Sequence, residues 1–188
     1  MEYYSDTVFE NQHYTASPLP FGEYEGCTFQ NCDFGKANLS MYKFIDCTFS
    51  GCNLSMVLTG KTVWNNIRFK DCKMLGLHFE SASPIGMVIQ FDHCVLSHSS
   101  FYQTKIHQTK FNTCTLEEVD FTGADLKGAS FANCDLRLAH FERTNLEKVD
   151  FSSAYNVSLN PTLSQLKNAV FSQHNIAGLL EVFKIKIQ

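Results

Sequence analysis

The chain has 188 residues, a length that fits one domain with its own core. Its formal net charge is −4, which argues against nonspecific binding to nucleic acid. With 44% hydrophobic residues it has a core to bury, yet no apolar run is long enough to span a bilayer.

Met1 to Pro20 carries three acids and no Lys or Arg. It lacks the basic start and apolar centre of a secretory signal. Val8, Phe9 and Tyr14 are placed to fold over the residues that follow and cover an open edge. Residues 1–21 are therefore expected as an N-terminal cap, the alternative being a frayed tail.

From Tyr24 onward a large side chain recurs at every fifth position. The first run is Tyr24, Phe29, Phe34, Leu39, Phe44, Phe49, Leu54, Thr59, Trp64, Phe69, Met74 and Phe79, with Thr59 the one weak member. Two residues before each stands something smaller. A period of five suits neither a helix nor a plain strand, since both would scatter these residues over several faces. Two inward positions two apart describe a short extended step, and the polar residues between steps suit a bend. Bends of one sense close into coils, and stacked coils make a solenoid.

The cysteines set the coil length. Cys32, Cys52 and Cys72 are 20 apart, as are Cys94, Cys114 and Cys134. Cys72 to Cys94 is 22, so two residues are inserted between the sets. A repeat of twenty in units of five gives a four-sided coil. The same register aligns Phe29, Phe49, Phe69, Phe91, Phe111, Phe131 and Phe151. All eight cysteines fall at the smaller inward position, which reads as core filling rather than disulfides or zinc, since stacked neighbours point the same way. Buried free thiols imply a reducing compartment, and the expected location is the cytoplasm.

Glu80 to Gln90 holds the insertion, on the side of Tyr24, Phe44 and Trp64. A bulge with Ser83 to Met87 at its tip is expected, either a partner contact or a tolerated irregularity. Phe91 to Phe151 then repeats without exception. The solenoid is expected over residues 22–154, with a length of about 30 Å at a rise near ~4.8 Å per coil.

Leu159-Asn160-Pro161 breaks the pattern, and residues 155–188 are expected as a C-terminal cap and dimerisation segment. Ser172 reads as a helix N-cap. Ile176, Leu179, Leu180 and Phe183 follow at helical spacing, and Lys184-Ile185-Lys186-Ile187 alternates like a short strand. A helix this short must pack on something, either the last coil or a second copy.

No nucleophile elbow, zinc-protease, P-loop or dinucleotide-binding motif is present. The seven histidines of the chain include none expected to gather a metal, since those in the repeat flank the inward positions on several sides. No catalytic residue, cofactor or metal is expected. The charges are more informative. Thr115 to Phe151 holds eight acids, Glu117, Glu118, Asp120, Asp125, Asp135, Glu142, Glu147 and Asp150, against four bases. This acidic half reads either as a partner-binding face or as a solvated surface that keeps a stacking protein apart.

Ala124-Asp125-Leu126-Lys127-Gly128 and Cys134-Asp135-Leu136-Arg137-Leu138 resemble the A(D/N)LXX motif of the pentapeptide repeat family. The resemblance recurs in register over roughly 22–154. It implies an all-β fold, a right-handed quadrilateral β-helix, here with a short C-terminal helix. The segment Asp71 to Gly76, the Leu179-Leu180 pair and the tail look like the quinolone-resistance branch, whose members dimerise through their C-terminal ends. That branch carries protruding loops, whereas the insertion here is two residues long. The resemblance implies a non-enzymatic DNA mimic that binds DNA gyrase or topoisomerase IV and protects it from quinolones or toxins. In that reading the eight acids form the contact face, and Ile176, Leu179, Leu180, Phe183 and Ile185 form the cap and dimer surface. The alternative is a protein-interaction scaffold with another partner. Neither reading involves direct binding of nucleic acid or membrane.

Overall fold

A computed structural model describes residues 1–186. The chain is an all-β solenoid of stacked four-sided coils. On one side lie β1 (Glu2–Ser5), β3 (Gly22–Glu25), β5 (Lys43–Ile45) and β7 (Val63–Asn65), in parallel register. The adjacent side carries β2 (Val8–Glu10), β4 (Thr28–Gln30), β6 (Thr48–Ser50), β8 (Ile67–Lys70), β9 (Ile89–Asp92), β10 (Lys110–Asn112) and β11 (Ser130–Ala132). The other two sides are held by single parallel bridges such as Asp33 to Asn53 and Asp120 to His140.

The inward column that begins at Phe9 is a continuous ring stack. Phe9, Phe29, Phe49, Phe69, Phe91, Phe111, Phe131, Phe151 and Phe171 follow one another with centroids 4.7–5.4 Å apart. Rings on neighbouring sides meet it edge-on, as Phe101 does Phe111 at 5.9 Å and 89°. Thr59, the weak inward member, is buried and donates its hydroxyl to the His78 carbonyl at 2.7 Å.

Two chemical devices turn the corners. The residue two after the large inward one is left-handed along most of the chain, as at Asn31, Asp71, Glu118 and Gly128. The residue just before the large one is often Asp or Asn, whose carboxyl or amide oxygen accepts the N–H two residues on. Asp33 does this for Gly35 at 2.9 Å and Asp120 for Thr122 at 2.8 Å. This is why the repeat favours Asp or Asn there. The same side chains also bridge coils: Asn53 donates to Asp33 at 2.8 Å, and Asn145 to Asp125 at 2.9 Å.

All eight cysteines are free and buried. Each Sγ donates to a backbone carbonyl, as Cys72 does to Phe49 O at 3.3 Å and Cys134 to Phe111 O at 3.4 Å. Burial pushes the Cys47 thiol up to about 12. The hydrogen bond to Cys114 raises Cys94 to about 12, and that to Cys134 does the same for Cys114. Because every one of the eight is buried in the core, they should react with Ellman's reagent only on unfolding. The expected result is no label on the native protein at pH 8 and all eight thiols labelled in denaturant. Rapid native labelling would contradict the packed column.

The bulge lies where the phase break placed it. Ser83 N–H still bonds Thr62 O at 2.8 Å, Val88 N–H rejoins the ladder on Trp64 O at 3.1 Å, and Ile85 between them is 81% exposed.

Three expectations differ from the structure. Residues 1–21, read as a cap lying over the first coil, form the first coil themselves. Tyr4, Phe9, Tyr14 and Leu19 keep the period, and β1 and β2 pair in register with β3 and β4. The ladder also runs on beyond Ala154, with bridges Asp135 to Tyr155, Asn145 to Gln165 and Asp150 to Val170. Asn156 and Pro161 occupy large inward positions, so two sides are re-routed there while Val157 and Leu159 fill the core instead. Lastly, α1 (Ile176–Leu180) is a short helix between 3₁₀ turns Gln173–Asn175 and Glu181–Phe183. Ser172 precedes the first turn but makes no side-chain cap; its carbonyl accepts Asn175 N–H at 3.1 Å. Lys184 is left-handed and ends the element, and residues 184–186 form no strand; Ile187 lies outside the described residues.

Candidate partner-binding surfaces

The eight acids of the C-terminal half are spread around the coil. Glu117, Glu118 and Asp135 lie on one side, Asp120 and Glu142 on the next, Asp125 and Glu147 on the third, and Asp150 on the fourth, as the bridge register dictates. Four of them serve turns. Asp120, Asp125, Asp135 and Asp150 accept the N–H groups of Thr122, Lys127, Arg137 and Ser152. Asp135 also accepts from the Asn156 amide at 2.7 Å.

Several acids meet a base one coil away. Arg137 pairs with Glu117 at 2.8 Å, Lys127 with Glu147 at 3.0 Å, His98 with Glu118 at 3.3 Å and His107 with Asp125 at 2.7 Å. Burial raises the Asp125 carboxyl, but the His107 hydrogen bond and the Lys127 N–H outweigh it and hold it below the usual carboxylate range. Glu147 is likewise lowered, chiefly by Lys127. Exposed pairs of this kind add little stability each. Their larger effect is to mix the charge of the surface. Sequence reasoning located the acids but missed these partners, whose signal was a base or His twenty residues away in three pairs and eighteen in that of His107 and Asp125.

The C-terminal element packs through Asn175, Gly178 and only part of its apolar stripe. Asn175 is buried and donates its amide to Phe151 O at 2.9 Å and Ala154 O at 3.0 Å, satisfying carbonyls at the end of the ladder. Gly178 lies against the backbone of Val157, and Leu179 packs on the core. Leu180 is half-buried, while Ile176, Phe183 and Ile185 are 46%, 55% and 56% exposed. With Val182 they leave an apolar surface at this end of the rod. Between the element and the coil runs a groove of about 770 Å³ that includes His140, Glu142, His174 and Glu181. Glu181 is already engaged by the Ser158 hydroxyl at 2.5 Å. Among the described residues no three His, Cys, Asp or Glu are grouped to hold a metal ion. No described helix is long and apolar enough to cross a membrane.

A family model described as a pentapeptide repeat region matches residues 78–151 and 104–179, more than half the chain, and a second, for pentapeptide repeats, matches residues 25–55. The chain belongs to the pentapeptide repeat family. No curated protein matches it by sequence. Among solved structures, two trypsin-treated variants of QnrB1, a plasmid-mediated fluoroquinolone resistance protein, are similar to this family member end to end. One aligns with a TM-score of 0.61 at 17% identity, over 100% of both chains. The other aligns with a TM-score of 0.62 at 17% identity, over 96% of this chain and 98% of that one. Full-length QnrB1 aligns at 0.51 and 20% identity, over 98% and 100%. At these identities the likeness is one of fold.

Proposed function

We propose that this pentapeptide repeat protein is a non-enzymatic rod that binds DNA gyrase or topoisomerase IV in the groove that otherwise holds DNA, as a two-fold dimer joined at its C-terminal ends. The observation that carries this reading is the likeness of fold to QnrB1, a plasmid-mediated fluoroquinolone resistance protein, over the whole of both aligned chains. An acidic half suits a basic groove and steers approach to it. The exposed Ile176, Val182, Phe183 and Ile185 suit burial against a second copy, which would place two acidic halves about the centre of the rod. Eight buried, unpaired thiols suit the cytoplasm, where such a partner resides. A scaffold with another partner is the second reading, favoured by the ion pairs that mix the charge of the acidic half.

Binding of purified gyrase to the wild type and to a Glu117→Lys, Glu118→Lys, Asp120→Asn variant separates the two. Asparagine keeps the turn cap at position 120, so the turn is preserved while the net charge of this face rises by five. The expected loss of affinity is about tenfold or more, steeper at low salt, with the melting temperature unchanged. Equal affinity would remove the acidic face from the contact. Sedimentation of the same sample should give twice the chain mass of 21.3 kDa, and a monomer would remove the dimer.

A further inference from the structure

The corners of this coil are cheapest with Gly or Asn in the left-handed position, and the turns are cheapest with Asp or Asn ahead of the large inward residue. Of the residues in the N-terminal half that depart from these rules, most are polar or sit in strands, but three are large, apolar and exposed. Met41 (φ 69°) and Met56 (φ 56°) hold left-handed corners, yet their side chains are 60% and 58% exposed. Leu58, also 58% exposed, is bridged to Asn38, which caps its own turn by accepting Ser40 N–H at 3.0 Å. Leucine cannot make that bond. A fold that spends stability on surface apolar groups at several adjacent positions has a reason outside the fold.

The three border one side of the solenoid. Met56 stands at the corner where that side begins, Leu58 on the side, and Met41, whose N–H bonds Gly60 O at 2.8 Å, at the corner where it ends. Lys36 and Lys61 occupy the same two corners on adjoining coils; Lys36 N–H bonds Ser55 O beside Met56, and Lys61 follows Gly60. Residues 36–42 and 56–62 contain no acid, and among the described residues the lysine ion pairs are those of Lys43 and Lys127. The result is a strip of Met41, Met56 and Leu58 with a lysine at each end, neither in an ion pair, while Glu80 on the next coil beside Lys61 is held by His78 at 2.8 Å.

We propose that this side, formed by Met41, Met56 and Leu58 between Lys36 and Lys61, is a docking surface for an acidic protein segment bearing large apolar side chains. It is independent of the topoisomerase reading, since a basic groove that accepts the acidic half would repel these lysines. Charge complementarity selects the acid, and the strip between the lysines selects the apolar anchors. Two lysines fall short of the roughly four to eight basic residues that hold a protein to an anionic bilayer.

The test uses the full chain and a Met41→Asn, Met56→Asn, Leu58→Asn variant, panned in parallel against a random displayed peptide library. The wild type is expected to enrich peptides with acids flanking Leu, Met or Phe. A synthetic copy of the strongest should lose about tenfold or more in affinity for the variant. The variant should melt at the same temperature or higher, because asparagine suits the left-handed corner and restores the turn cap. No enrichment, or peptides that bind the variant equally well, would overturn the proposal. So would a lower melting temperature, which would make the three residues structural. Two further results would overturn it in favour of another occupant. One is binding to phosphatidylserine vesicles lost in the variant, with no peptide selected. The other is self-association of the wild type lost in the variant.

Discussion

Replacing Phe111 with alanine should destabilise the protein by roughly 3–5 kcal/mol. Phe111 is fully buried, stacked on Phe91 at 5.0 Å and Phe131 at 4.9 Å, and met edge-on by Phe101 and Phe121. Its neighbours are fixed by backbone rungs above and below, so the site cannot collapse to fill the space. The cost therefore combines lost transfer energy with a cavity term. A chain of this length should lose about 10 °C in melting temperature. Phe183→Ala is the control: that ring is 55% exposed, and truncation should cost well under 1 kcal/mol in the monomer. Equal effects of the two changes would contradict the stacked column.

Gly178→Ala should also destabilise, although intrinsic helix propensity predicts the opposite sign by about 1 kcal/mol. A Cβ on Gly178 would lie 1.8 Å from Val157 O and 2.8 Å from its carbonyl carbon, and backbone atoms cannot rotate away. The element must lift off the coil. That withdraws the Asn175 amide from Phe151 O and Ala154 O, leaving those carbonyls unpaired at a buried end. The expected cost is about 1–3 kcal/mol or more. Faster amide exchange should be confined to residues 154–183. A gain in stability would show that the element is not docked through this face.

The period of five made the core legible because it sets a large side chain inward at nearly every fifth position of 24–151, and the columns of Phe and Cys then follow from coil length alone. It failed at the ends for separate physical reasons. In the first coil the smaller inward positions are Glu2, Thr7, Gln12 and Ser17, all at least partly open to solvent at the edge of the stack, so half the signal is polar. Tyr4, Phe9, Tyr14 and Leu19 carried the other half. At the far end, Asn156 and Pro161 read as a stop, yet backbone rungs at Gln165 and Val170 continue because a ladder needs no particular side chain.

The C-terminal stripe presumed a regular helix with all four apolar residues on the buried face. Mixed 3₁₀ and α turns shift that phase, and contact is made where the side chain is absent, at Gly178. The acidic half was visible as a count of charges. What the count could not contain was the register that sets Arg137 beside Glu117 and Lys127 beside Glu147. It also hid that Asp120, Asp125, Asp135 and Asp150 already have structural work in turns.

The most direct test of the account is a supercoiling assay with purified DNA gyrase, run over a titration of the full chain with and without ciprofloxacin. The account predicts inhibition of supercoiling at micromolar protein, weakened in the Glu117→Lys, Glu118→Lys, Asp120→Asn variant. Rescue from the drug would add protection to binding. No change in supercoiling and no rescue, with the dimer verified in the same sample, would contradict it.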